Sequence, residues 1–153
     1  MCIRDRLTGE WGQNPIPGPM DDYEKNVKRH CGRIGAIEVF LSGPGLENYY
    51  RYKTNSKKTS KEIVTLFNEN NSHALEVMDM YFERIARSFS TFVNILDPDI
   101  IVCGGGMSEI DNIYDEIPKR IIPYIASNFF LTPIVKAKHG SSSGVRGAAH
   151  LWN

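Results

Sequence analysis

The chain has 153 residues, 41% of them apolar and 24% charged, which is typical of one globular domain with a single core. Eighteen basic residues balance 18 acidic ones, so no net charge favours nucleic acid or an anionic membrane as a partner. No apolar run approaches the roughly 20 residues that span a bilayer, and the N-terminus lacks the apolar core of a secretory signal. Three widely spaced cysteines are typical of reduced thiols. We therefore expect a cytoplasmic protein with neither a membrane nor a nucleic-acid partner.

The first six residues, MCIRDR, show no hydrophobic periodicity. Their back-translation, ATG TGT ATA AGA GAC AG, matches the end of a common transposase sequencing adaptor. We therefore interpret residues 1–6 as a non-native scar, which implies that the natural reading frame began further upstream. A short native N-terminal arm is the alternative interpretation.

The first third of the chain predicts mostly loop. Residues 7–36 are rich in glycine and proline, a composition that favours a structured loop over a helix or a long strand. A short helix is predicted over residues 46–52. Thr59 or Ser60 is suited to cap the next helix, with Glu62 in its first turn.

The middle of the chain predicts one long helix. Apolar residues recur at steps of three and four, the period of a helix with one buried face. This stripe consists of Leu75, Met78, Phe82, Ile85, Ala86, Phe89, Val93 and Leu96. Ser72 is a candidate N-cap, and Pro98 ends the helix because the residue before a proline avoids the helical region.

The last third alternates between strand and helix. Residues 100–103 predict a buried strand, and residues 133–137 predict a second one. Between them, isoleucines at steps of four predict a helix over about residues 111–126, kinked or split by Pro118 and Pro123. A short helix over about residues 144–152 follows. This alternation predicts the α/β class.

Gly104, Gly105 and Gly106 directly follow the first of these strands. Glycines at such a position let backbone amides approach a phosphate without obstruction by Cβ atoms. A tight strand-to-helix turn explains the same residues equally well, and the pattern matches neither common nucleotide-binding motif. Residues 141–144 carry a similar ambiguity between helix capping and a ligand role.

Several segments together resemble the ROK family of sugar kinases and repressors, and most closely its bacterial fructokinase branch. They are GEWGQNP at residues 9–15, CGRIGAIE at 31–38, NILDPDIIVCGGGM at 94–107 and KAKHGSSSGVRGAA at 136–149. The resemblance runs colinearly from about residue 8 to the end. It implies the C-terminal lobe of an actin-like, ribonuclease-H-like kinase truncated at the N-terminus, with a substrate loop and degenerate zinc loop at 7–43 and the kinase lobe at 44–153.

The resemblance also implies roles for individual residues. Glu10 and Glu38 correspond to carboxylates that accept hydrogen bonds from sugar hydroxyls, and Gln13 stands where the family has a sugar-contacting histidine. Gly104–Gly106 would lie against the ATP phosphates, which carry Mg²⁺. The family's general base is an aspartate of the N-terminal lobe, so we assign no catalytic residue within this chain. Taken alone, each glutamate is equally well explained as a solvated loop residue.

The family's zinc loop uses that histidine and three cysteines in the spacing Cys-x-Cys-Gly-x-x-Gly-Cys. Here the four positions hold Gln13, Arg29, Cys31 and Ala36. A single thiolate does not close the tetrahedral site that structural zinc prefers, so we predict no bound zinc. The loop is then expected to be ordered by hydrogen bonds of Gln13 and by packing of Ile34 and Ile37.

Three functions follow from the resemblance. The first is an ATP-dependent hexose kinase that phosphorylates the 6-hydroxyl of a sugar, with fructose favoured and this fragment inactive by itself. The second is the effector domain of a sugar-sensing ROK repressor, and the third is a non-catalytic sugar-binding protein. A homodimer is an open expectation, because dimers are common among relatives of this kind.

Overall fold

The structure, a computed structural model, describes residues 2–3, 6–7 and 9–150. Of the proposed scar at residues 1–6, residues 1, 4 and 5 lie outside this part of the chain. The described helices are α1 Ile37–Leu41, α2 Gly43–Thr54, α3 Ser60–Asn68, α4 Ser72–Leu96, α5 Asn112–Arg120 and α6 Ser143–Ala149. The strands are β1 Cys2–Ile3, β2 Arg6–Leu7, β3 Ile101–Cys103 and β4 Ile134–Lys136. Among the described residues, no helix combines the length and apolarity needed to cross a membrane.

Helix α4 is the centre of the fold. Helices α1, α2, α3 and α5 all pack against it. Most of the predicted apolar stripe is buried there, with Met78 and Ala86 fully inaccessible. The prediction that the whole stripe is buried is wrong at its two ends, because Leu75 is 38% exposed and Leu96 is 69% exposed. Both lie in the terminal turns of the helix, and in the first turn Ala74 is buried in place of Leu75.

The helix boundaries follow local capping chemistry. Of the two predicted caps of α3, Thr59 and not Ser60 is the one formed, and Thr59 makes a capping box with Glu62. At α4 the cap is Asn71 and not Ser72, since the Asn71 side chain accepts hydrogen bonds from the backbone amides of His73 and Ala74. Asp97 ends α4 in a left-handed conformation, with φ of 42°.

The predicted helix over residues 111–126 is split. Helix α5 ends at Arg120 with Pro118 inside it, and a 3-10 turn over Ile122–Tyr124 follows. Strands β3 and β4 pair in parallel on either side of this connection, with Ile101 opposite Ile134 and Cys103 opposite Lys136. Because the strands are parallel, the loops that leave their carboxyl ends emerge at the same edge.

A buried ionic cluster fastens the N-terminal loop to α4. The Glu24 carboxylate is fully buried and accepts from Arg84 Nε at 2.8 Å and from Arg87 Nη1 at 3.1 Å. Arg84 Nη2 also lies 3.1 Å from Asp21 Oδ2, and Arg87 Nε donates to the Pro17 carbonyl at 2.8 Å. The two arginines are thereby neutralised by two carboxylates, as buried charges require.

This cluster corrects the expected source of order in the loop. Ile37 is buried as predicted, but Ile34 is 47% exposed and contributes little packing. The two arginines of α4 hold the loop instead. Their signal in the sequence is weak, because a charged residue within an apolar helical stripe is usually interpreted as surface-exposed.

Candidate functional site

Trp11 attaches the first candidate segment to α4. The segment is a 3-10 helix over Trp11–Gln13. The indole Nε1 donates to Thr91 Oγ1 at 2.9 Å, and the indole ring packs against Phe89 and Phe92, with centroid separations of 5.8 and 5.4 Å. This 3-10 helix contains Gln13 and directly follows Glu10, two of the predicted sugar ligands. It is therefore held on the core and not free in solvent.

Two backbone segments bring the predicted sugar residues together. Residues 14–16 run antiparallel to residues 35–37, with the Ile37 amide donating to the Asn14 carbonyl at 2.9 Å. Glu38, in the first turn of α1, therefore lies directly beside the 3-10 helix. A Cβ atom placed on Gly12 would lie only 3.2 Å from Glu38 Cβ, so glycine permits this close approach. Glu10 is joined to Gln13 through a carbonyl–amide hydrogen bond of 2.9 Å.

Glu10, Gln13 and Glu38 thus form one cluster, which we call the carboxylate cluster. Glu10 is exposed, Gln13 is half-buried, and the Glu38 side chain is 38% exposed. Ionised carboxylates accept hydrogen bonds from hydroxyl groups, and an amide both donates and accepts. The cluster is chemically suited to a polyhydroxylated ligand.

The degenerate metal loop forms a tight hairpin next to this cluster. The Arg29 amide donates to the Arg33 carbonyl at 2.8 Å, and residues 28 and 34 form an isolated antiparallel bridge. The Arg29 guanidinium contacts the Glu38 carboxylate through Nε and lies 3.3 Å from Cys31 Sγ through Nη1. The pKa of the exposed Cys31 thiol is lowered, mainly by a backbone hydrogen bond at Arg33 and next by a hydrogen bond from the Arg29 side chain.

The donor set of this loop does not suit zinc. Arg29 is a permanent cation with no lone pair to offer, and Ala36 is a buried methyl group. Within the described residues, no group of three or more His, Cys, Asp or Glu side chains is arranged to hold a metal ion. Structural zinc requires four nitrogen or sulfur donors, and the loop presents one thiol beside a guanidinium.

The glycine loop opens at the carboxyl end of β3. Gly105 has φ of 87°, a left-handed conformation that favours glycine. All three glycines are exposed, and Cβ atoms on Gly105 and Gly106 would meet nothing within 4 Å. Tight packing therefore does not explain the three glycines. The open space above them leaves room for a ligand to approach the backbone.

A neighbouring segment completes this edge of the sheet. The 3-10 turn Gly140–Ser142, which follows β4, packs against the 3-10 turn Gly106–Glu109, which follows β3. The expected capping of α6 is not formed, because Ser142 makes no side-chain hydrogen bond to the helix. Lys136 is engaged by Glu109 at 2.7 Å and by Asp111 at 3.4 Å.

An apolar groove of about 310 Å³ lies along α4 and β3. Its lining includes Trp11, which adjoins Glu10 in the chain, and Gly104 with Ser108, which follow β3. Phe89 of α4 and Val102 of β3 also line it. The groove therefore brings a neighbour of the carboxylate cluster together with the first residue of the glycine loop, an arrangement that sequence spacing alone could not predict.

Comparison with known proteins bears on the family of the chain. A sequence model of the ROK family matches residues 5–153. The N-acetyl-D-glucosamine kinase of Vibrio atlanticus is 38% identical over 97% of this chain and 50% of its own length. The enzyme of the same name from Vibrio cholerae is 41% identical over 79% of this chain and 40% of its own length. The chain spans about half the length of the curated relatives it matches.

A solved structure shares the fold. The ROK family glucokinase of Streptomyces griseus, in complex with glucose and AMPPNP, superposes with a TM-score of 0.80 over 95% of this chain and 51% of its own, at 19% identity. The predicted α/β fold of actin-like sugar kinases is confirmed. The expected fructokinase branch is not supported, since the relatives described above are N-acetyl-D-glucosamine kinases.

Proposed function

This chain belongs to the ROK family, and we propose that it forms one lobe of an ATP-dependent kinase that phosphorylates a sugar hydroxyl. The observation that carries the proposal is a groove lined both by Trp11, which adjoins the carboxylate cluster, and by Gly104 of the open glycine loop. A kinase needs two ligands side by side, because most of its catalysis consists of positioning and charge stabilisation.

The proposed sugar is N-acetylglucosamine, phosphorylated at its 6-hydroxyl. The names of the relatives at 38% and 41% identity support this sugar over fructose. Glu10 and Glu38 would accept hydrogen bonds from neighbouring ring hydroxyls, and Gln13 would replace the donor that the family supplies from histidine. The same relatives favour a kinase over the repressor alternative.

The proposed nucleotide is ATP, with Gly104–Gly106 beside its phosphates. Backbone amides in a loop with a left-handed glycine are suited to anions. The glucokinase neighbour was solved with AMPPNP, which is consistent with ATP use by the family. Mg²⁺ would arrive on the phosphates and neutralise their charge. We assign it no ligand here, because Glu109, the acidic residue closest in sequence to the glycines, is paired with Lys136.

The general base is proposed to lie outside this chain. Asp97 is committed to the end of α4, where its backbone N–H donates to the Val93 carbonyl at 2.9 Å. Asp99 lies two residues further along, on the far side of Pro98, and is exposed. We therefore propose that the chain positions a sugar and a nucleotide but does not by itself remove the hydroxyl proton.

Titration calorimetry on the purified chain tests this function. N-acetylglucosamine should bind more tightly than fructose, and Glu10→Gln should weaken sugar binding by roughly tenfold through loss of a charged acceptor. The matched control is Glu69→Gln, an exposed carboxylate at the end of α3. Equal affinity for both sugars would contradict the proposed substrate, and equal effects of the two substitutions would contradict the proposed site.

A further inference from the structure

The hairpin over residues 28–34 carries a guanidinium in an unusual position. Arg29 Nη1 lies 3.3 Å from Cys31 Sγ, while Nε of the same group contacts Glu38 Oε1. The Arg29 side chain is only 16% exposed although it lies in a surface loop. One cation therefore links a sulfur of the hairpin to a carboxylate on the first turn of α1.

A structural metal in this loop would instead join the side chains at positions 13, 29, 31 and 36, so Arg29 makes a different link from one of those positions. A metal in such a loop joins side chains that are distant along the hairpin and fixes their orientation. A guanidinium also joins side chains, through several donors in a rigid plane, and it is always charged. Arg29 also stands at a position where a thiolate donor would be required for zinc, so the cation and the metal exclude one another.

Glu38 is constrained from a second side. Gly12 lies against its Cβ atom, so the side chain has little freedom to swing toward the 3-10 helix. Arg29 takes Oε1 of the carboxylate, and the described residues provide no hydrogen bond to Oε2. One oxygen is held in place and the other remains available to an incoming hydroxyl group.

We propose that Arg29 replaces the metal of this loop and acts as the positioning residue that holds Glu38 for the sugar. The part that concerns Glu38 and the sugar rests on the proposed function, whereas the replacement of the metal does not. The loop is then ordered in the absence of zinc, and its order does not respond to chelators.

Metal analysis and thermal unfolding test the replacement. The purified chain should contain well under one equivalent of zinc, and its melting temperature should be unchanged by EDTA or by added zinc. Arg29→Met should raise amide exchange of Gly32 and Gly35, whose N–H groups bond within the hairpin, at least severalfold. Arg33→Met, an exposed arginine of the same hairpin, is the control and should leave exchange unchanged. Stoichiometric zinc, or equal exchange in both variants, would overturn the replacement.

Ligand binding tests the positioning role. Arg29→Met should weaken binding of N-acetylglucosamine by roughly tenfold and leave binding of AMPPNP unchanged, because Arg29 contacts Glu38 and Cys31, whereas the proposed nucleotide contact is the glycine loop. Arg29→Lys should restore part of the sugar affinity, since lysine retains the charge beside Glu38 but not the planar fork. Equal loss of both ligands, or no loss of sugar binding, would overturn the role.

The two tests separate this inference from the proposed function. If the unmodified chain binds no sugar, the proposed function and the positioning role both fail. The exchange and metal measurements still decide whether Arg29 replaces the metal. If the chain binds sugar and Arg29→Met binds it equally well, the proposed function stands and the positioning role is wrong.

Discussion

Gly12 and Glu38 set the shape of the carboxylate cluster through one close contact. The 3.2 Å separation between Glu38 Cβ and a Cβ placed on Gly12 is shorter than ordinary van der Waals contact. Glu38 is also tied to Arg29, and this ion pair resists its displacement. A single added methyl group should therefore disturb the cluster.

Gly12→Ala is expected to lower sugar affinity severalfold without unfolding the chain. The methyl group displaces Glu38 by a few tenths of an ångström, and hydrogen bonds weaken steeply with poor geometry. Gly147→Ala in α6 is the matched control, because a Cβ there meets nothing within 4 Å. Calorimetry gives the affinity, and circular dichroism checks the fold. Unchanged affinity in Gly12→Ala would show that Glu38 does not contact the sugar.

Cys31 and Cys103 should differ in reactivity. Cys31 is exposed, and a backbone hydrogen bond at Arg33 together with Arg29 lowers its pKa, which increases the reactive thiolate. Burial raises the pKa of Cys103 at the end of β3. Mass spectrometry after brief iodoacetamide treatment at pH 7 should find Cys31 labelled well before Cys103. Faster labelling of Cys103 would contradict the placement of both residues.

At the scale of elements, α4 is both the core helix and the anchor of the N-terminal loop. Its apolar side chains pack against α1, α2, α3 and α5, and its two buried arginines hold the loop through Glu24. Arg84 also lies 4.0 Å from the ring centroid of Tyr49, where the ring face favours a cation. The loop that carries the carboxylate cluster is therefore fixed by charge as much as by apolar packing.

Glu24→Gln is expected to reduce the free energy of unfolding by about 3–5 kcal/mol, the usual cost of leaving buried charges uncompensated. The amide preserves the shape of the side chain but removes the Glu24 charge, so that of the two carboxylates only Asp21 still faces the two arginines. Urea denaturation of this variant beside the exposed Glu69→Gln measures the difference. A shift of less than about 1 kcal/mol would mean that the cluster does not hold the loop.

The sequence predicted local features better than distant ones. The start of α3 near Thr59 and the end of α4 at Asp97 depend on neighbours within four residues, and both were predicted correctly. The pairing of Glu24 with Arg84 joins residues 60 positions apart, and no periodicity encodes it. The groove that Trp11 and Gly104 both line depends on the same kind of distant contact.

At the scale of the whole molecule, two proposed binding regions lie near one groove, lined by Trp11 and Gly104, in a chain that matches about half the length of its curated relatives. The resemblance to ROK kinases suggested roles for Glu10, Gln13, Glu38 and the three glycines before their geometry was known. It identified Arg29 only as a position where the family has a zinc-binding cysteine, and the contact of Arg29 with Glu38 emerged from the structure. The proposed kinase activity requires a second lobe that contributes the general base.

A chimeric enzyme gives the most direct test of this account. The half of the Vibrio atlanticus enzyme that this chain does not match would be joined to the chain, and both proteins assayed for transfer of labelled phosphate from ATP to N-acetylglucosamine. We predict that the chimera phosphorylates the sugar, prefers it to fructose and loses activity with Glu38→Gln, while the 153-residue chain alone shows no transfer. Transfer by the chain alone, or a folded chimera that binds both ligands without transfer, would contradict the account.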